Sequence, residues 1–139
     1  MHKSGRENYK EGENLLQKYV KEIAKRLSIE AIVLFGSAAR KESCKYSDYD
    51  LLVISKNLPL DFRKRTDLLW QDKPDCIDVL GFTPTELKEN IHRGLLLNAL
   101  IEGKTLYGEA NLFRKIAQDY LEKEGLVKTA LGYTHKMST

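Results

Sequence analysis

The chain has 139 residues, 42% hydrophobic and 31% charged, which suits one ordinary globular domain and excludes wholesale disorder. Its formal net charge of +3 is spread along the whole length, so charge alone makes no case for nucleic-acid binding. No apolar run approaches the roughly 18 residues of a membrane span, and the opening MHKSGRENYKEGEN lacks the apolar stretch of a signal peptide.

Residues 1–12 read as a flexible lead-in. From Glu13 onward, Leu15, Leu16, Tyr19, Val20, Ile23 and Leu27 recur at three- and four-residue steps, which predicts an amphipathic helix over 13–27. IEAIVLF (29–35) is short, β-branched and nearly uncharged, and predicts a buried strand. After Gly36, SAARKE suits a short helix with Ser37 near its N-cap, and CKYS reads as loop. DYDLLVI (48–54) is the second strand.

Residues 59–71 are expected to form a helix with Pro59 in its first turn and Leu60, Leu69 and Trp70 as apolar contacts; Arg63, Lys64 and Arg65 read as its solvated face. CIDVLGF (76–82) is the third strand. In TPTE (83–86), Thr83 as N-cap, Pro84 at the first position and Glu86 closing a capping box start a helix. It continues to about Ile101 with a bend near Gly94, and Gly103 stops it. KTLY (104–107) is a short edge strand, and 109–124 is a helix carrying Leu112, Phe113, Ile116, Tyr120 and Leu121. The expected division is thus a lead at 1–12, a domain at 13–124 and a C-terminal tail at 125–139 that carries no assignable pattern. Strands interleaved with helices predict an α/β fold, a small sheet of three or four strands covered by helices. Cys44 and Cys76 form neither a metal spacing nor a disulfide framework, so a reduced, cytoplasmic protein is expected.

The chemistry concentrates between residues 34 and 78. Asp48 and Asp50 are two apart on a strand, so both side chains leave one face while Tyr49 leaves the other. Two carboxylates that close repel unless a proton or a metal intervenes. Asp78 sits between Ile77 and Val79 in the third strand, where an aspartate is costly unless paired. If the third strand neighbours the second, three carboxylates converge, and hard oxygen donors of this kind suit Mg²⁺. Gly36 allows close backbone approach, Ser37 adds a hydroxyl at a helix N-terminus, and Arg40, three residues on, adds charge; together they form a cradle for phosphates. Any one of these features alone is ordinary: a turn with its cap, a solvated strand opening, a structural carboxylate. Their conjunction points to two-metal phosphoryl or nucleotidyl transfer.

LFGS, the ten residues between Ser37 and Asp48, SDYDLLV and the later IDVL resemble the nucleotidyltransferase superfamily that includes DNA polymerase beta, and in size the minimal nucleotidyltransferases of bacteria and archaea. The resemblance implies a mixed sheet, two Mg²⁺ ions and a nucleoside triphosphate, commonly ATP. It implies that Gly36 and Ser37 bind phosphates, that Asp48, Asp50 and Asp78 hold the metals, and that Asp78 favours deprotonation of an acceptor hydroxyl. It departs from the minimal members' pattern at Ala38 and Lys41, where a basic or aromatic residue and a glycine are common; Arg40 or Lys41 would compensate. The stretch after the third strand accommodates helices rather than an acceptor domain, so the acceptor is expected from a partner or through an oligomer. The spacing looks like that of antitoxins paired with helical HEPN toxins, which are adenylylated on a tyrosine. Small-molecule nucleotidylation and neutralisation by occlusion alone are the alternatives. Tailing of nucleic acid lacks the basic patch with interleaved aromatics that would support it.

Overall fold

A computed structural model describes residues 5–36, 49–130 and 132–136, of which 5–10 are described by backbone alone. Helix α1 (Gly5–Arg26) leads into strands β1 (Ala31–Phe35) and β2 (Tyr49–Ile54). Helix α2 (Phe62–Trp70), strand β3 (Ile77–Phe82) and helices α3 (Pro84–Glu89) and α4 (Gly94–Glu102) follow. Strand β4 (Lys104–Gly108), helix α5 (Asn111–Lys123) and a hairpin of β5 (Leu126–Thr129) and β6 (Gly132–His135) complete the order. The main sheet runs β3-β2-β1-β4, with β1 antiparallel to both neighbours and β2 parallel to β3. The mixed α/β architecture expected from the sequence is therefore present.

Alternation along the strands divides the interior in two. Ile32, Leu34, Tyr49, Leu51, Val53, Ile77 and Val79 pack on the stripe Leu16, Tyr19, Val20, Ile23 and Leu27 of α1 and on Leu69 of α2. Val33, Phe35, Leu52 and Ile54 face the other way, onto Leu96, Leu97 and Leu100 of α4 and Phe113 and Ala117 of α5. Both faces being covered explains why β1 and residues 51–54 of β2 read as unbroken apolar runs. Burial pushes the Tyr19 phenol well above its ordinary range, and its hydroxyl donates to the Leu69 carbonyl, tying α1 to the end of α2. Among the described residues, no helix is long and apolar enough to cross a membrane.

Several boundaries differ from expectation. Helix α1 begins at Gly5 and so takes in much of the expected lead-in, because residues 5–12 are helix-compatible but carry no apolar stripe. Gly12 within it has a packing reason: a Cβ there would come 2.6 Å from Tyr49 Oη, so the glycine lets α1 lie against β2. Helix α2 starts after Asp61, whose carboxylate caps Lys64 N, rather than at Pro59. Leu60 is 85% exposed and Trp70 47% exposed, so neither is core; the Trp70 indole N–H donates to the Val79 carbonyl. Arg65 is not part of a solvated face but is buried, paired with Glu86.

The helix expected from 83 to 101 is two helices. The Thr83–Glu86 capping box forms as expected, but the chain breaks at Asn90 and restarts at Gly94. Gly103 ends α4 at a negative φ, and its reason is closeness: a Cβ would lie 2.2 Å from the Ala99 carbonyl oxygen and 2.4 Å from Val33. The segment expected as a tail contains the β5–β6 hairpin, whose Tyr133 packs against the α4–α5 core.

Candidate active site

The end of β1 and the starts of β2 and β3 meet at one edge of the sheet. There Phe35 stands opposite Asp50, and Asp50 stands opposite Asp78 on the parallel neighbour. Adjacent strands lie about 4.8 Å apart, and residues in register share a face. Tyr49, Ile77 and Val79 turn into the α1–α2 core, which sends Asp50 and Asp78 to the opposite face, the side of α4. Asp78 is exposed, so the cost expected for an aspartate inside an apolar strand is not incurred: its neighbours are buried on the other face while its carboxylate meets solvent. Asp50 is partly buried.

Gly36 follows β1 directly with φ +80°, a left-handed conformation open to glycine at little cost. A Cβ at this position would lie 2.6 Å from Asp50 Oδ2. The missing side chain is thus what lets the backbone turn against the carboxylate. Gly36, Asp50 and Asp78 are brought together as the sequence predicts. Ser37, Arg40 and Asp48, with Ala38 and Lys41, lie outside the described residues.

The donor set fits a hard divalent cation. Two carboxylates on adjacent strands, one reaching solvent and one beneath a side-chain-free turn, offer the oxygens that Mg²⁺ prefers and leave room for its waters. Among the described residues no group of three metal-ligating side chains forms, and Asp48, the third expected ligand, is not one of them.

Gly36 and Asp50 also line a cavity of about 270 Å³ whose other wall is α4 and the hairpin. Leu95, Asn98 and Glu102 of α4 and Lys128 of β5 face it, and Lys128 is ion-paired with Glu102. These residues were not legible as site residues. The one available signal is that Asn98 interrupts the apolar run LLLNALI, and a single amide in such a run is as often a solvated position.

The family model of polymerase beta nucleotidyltransferases matches residues 17–111, from α1 through β4 to the first residue of α5. The chain belongs to the polymerase beta nucleotidyltransferase family. A Methanocaldococcus jannaschii protein named "Putative protein adenylyltransferase MJ1305" is 44% identical over 48 residues. That match covers 33% of this chain and 33% of the relative, so the chain matches a third of that protein's length. A structure described as a putative nucleotidyltransferase from Sulfolobus solfataricus superposes with a TM-score of 0.58 at 18% identity, over 80% of this chain and 93% of that one. A toxin–antitoxin structure with AMP-PNP superposes with a TM-score of 0.57 at 20% identity, over 78% and 89%. At these identities the likeness to the solved structures is one of fold.

Proposed function

We propose that this nucleotidyltransferase moves AMP from ATP onto a hydroxyl of a partner protein in the cytoplasm, the acceptor being a tyrosine of a helical HEPN-type toxin that is thereby neutralised. One observation carries the reading: Asp50 and Asp78, from separate strands, stand in register on one face with the Gly36 turn against Asp50. Family membership supports the reaction class. The protein acceptor is supported by the adenylyltransferase name of the archaeal relative, and the toxin partner by the nucleotide-bearing toxin–antitoxin fold neighbour.

In this reading Asp48, Asp50 and Asp78 hold two Mg²⁺ ions, while Gly36 and Ser37, with Arg40, receive the phosphates. The metal, when bound, supplies Lewis-acid stabilisation of charge on the phosphoryl oxygens. Asp78 faces solvent at the mouth of the site and favours loss of the acceptor's hydroxyl proton. The acceptor oxygen bonds to the α-phosphorus, the bond to the bridging oxygen breaks, and pyrophosphate leaves.

The test incubates the protein with Mg²⁺, α-labelled ATP and a short helical protein bearing an Arg-x4-6-His motif, the expected HEPN partner. Label is expected on a partner tyrosine, and Asp50→Asn is expected to lower its transfer at least about 100-fold, the upper end of losses seen when mere outer-shell partners of a metal are removed. No transfer from any of the four nucleotides overturns the enzymatic reading for that pair. Full neutralisation by Asp50→Asn would instead establish occlusion, and turnover on an aminoglycoside without partner would establish a small-molecule acceptor.

A further inference from the structure

Strand β3 is an edge of the main sheet, bonded among the described residues to β2 alone. The Cys76 and Phe82 carbonyls accept from Tyr49 N and Ser55 N on the β2 side. Successive carbonyls of a strand point to opposite sides, so those of Ile77, Val79 and Gly81 point away from β2. Such an edge is ordinarily a row of open acceptors. Here each of the three is taken by a side chain of α2 or of the loop after it. Lys73 Nζ donates to the Ile77 carbonyl, Trp70 Nε1 to that of Val79 at 3.3 Å, and Arg65 Nη1 to that of Gly81 at 3.1 Å.

Two of these bonds bracket Asp78, one at the residue before it and one at the residue after it. The two donors are also joined to each other: the Lys73 ammonium lies 4.4 Å from the centroid of the Trp70 ring, a cation–π contact. A further bond from Lys73 Nζ, to the Pro74 carbonyl at 3.0 Å, ties down the loop that leads into β3. The Asp78 carboxylate itself is exposed, and among the described residues nothing donates to it. Its place relative to Asp50 is therefore set through the backbone, which Lys73 and Trp70 hold on the outer side of β3. Protection of the edge would be met by one charge or a bulge. Joined donors on both sides of a single aspartate also fix where its carboxylate sits. We propose that Lys73 and Trp70 are positioning residues, which clamp β3 about Asp78 and hold its carboxylate where one cation meets both it and Asp50. This inference rests on the nucleotidyltransferase reading of Asp78 and adds to it the side chains that keep the ligand in place.

The experiment titrates Mn²⁺, in place of Mg²⁺, into the full chain and reads the free ion by electron paramagnetic resonance. The unaltered chain is expected to bind the ion, and Asp78→Asn to bind it more weakly. Lys73→Met keeps the aliphatic stem but loses the donors, and is expected to weaken binding roughly tenfold, the lower end of the cost of removing an outer-shell partner. Trp70→Phe, which keeps a ring beneath Lys73 and loses the N–H, is expected to act in the same direction. Lys73→Arg, which restores a donor, is expected to recover most of the affinity. Glu86→Gln breaks the Arg65 pair away from Asp78 and serves as a destabilised control with unchanged affinity. Undiminished affinity in Lys73→Met and Trp70→Phe overturns the inference, as does equal weakening in Glu86→Gln, the mark of lost stability alone. Affinity undiminished by Asp78→Asn removes Asp78 as a ligand and this inference with it, while label transfer to the partner still decides the reaction. No Mn²⁺ binding by the unaltered chain removes the metal site on which both readings stand.

Discussion

Gly36 shows how much one missing side chain decides. Its φ of +80° would cost an alanine about 1 kcal/mol, and the new Cβ would sit 2.6 Å from Asp50 Oδ2, so the carboxylate would have to move. Gly36→Ala is therefore expected to lower the melting temperature by about 3–6 °C, and label transfer by at least about tenfold, since 1.4 kcal/mol at the reacting groups already accounts for that factor. Thermal melts and transfer assays on one preparation check it. A lowered melting temperature with unimpaired transfer would make Gly36 a turn residue and nothing more. At this scale the candidate residues were legible where chemistry restricts residue type, and the structure places Asp50 beside Gly36 and in register with Asp78, the convergence expected if the third strand neighbours the second. The place of Asn98 in the cavity wall was not legible, because it depends on what α4 faces.

The element scale is dominated by the joint between α2 and α3. Arg65 Nη1 and Nη2 donate to the Glu86 carboxylate at 2.8 and 3.0 Å, and its Nε donates to the Pro59 carbonyl at 2.8 Å. The same carboxylate accepts from Thr83 N at 2.9 Å in the capping box, so one side chain both starts α3 and anchors it to α2. Partial burial resists ionisation of Glu86, yet the Arg65 and Thr83 hydrogen bonds outweigh it and hold the carboxyl below its ordinary value of 4.5. Removing one partner of this partly buried, bidentate pair is costly, and Arg65→Met is expected to destabilise by about 1.5–3 kcal/mol in denaturant unfolding, the worth of hydrogen bonds to a charged group. A depressed pKa means the folded state favours the ionised form, so this stability is present above pH 4.5 and is lost as pH falls below it. The stability difference between the unaltered chain and Glu86→Gln should accordingly be constant near neutrality and shrink in acid. A difference that persists undiminished at low pH would refute the linkage. The sequence showed the capping box, which is local, but not Arg65, whose partner lies 21 residues away and whose neighbours Arg63 and Lys64 are exposed.

For the whole molecule, the two cores on opposite faces of the sheet settle what is essential to folding. Among the described residues, the buried members of both lie between Leu16 and Ala117, and the hairpin adds the half-buried Tyr133. A chain ending at Glu124 is expected to keep a single cooperative unfolding transition, with stability lower by about 1–2 kcal/mol for the partial burial of one aromatic ring. Loss of cooperativity would show that the hairpin belongs to the folding unit. The same truncation removes Lys128 from the wall of the cavity, so it separates the hairpin's part in folding from its part in the site.

Legible in the chain were the buried strands, the amphipathic stripe of α1, the Thr83 start of α3 and the choice of Gly36, Asp50 and Asp78 as candidate site residues. Each of these depends on residue type and near-neighbour spacing, which the chain carries explicitly. Tertiary contacts alone set β2 and β3 parallel and in register at Asp50 and Asp78, made Gly103 and Gly12 points of close approach, and placed Asn98 of α4 in the wall of the cavity that Asp50 lines. Those depend on strand order and on contacts between residues far apart in the chain, and no periodicity records which distant backbone a side chain will meet.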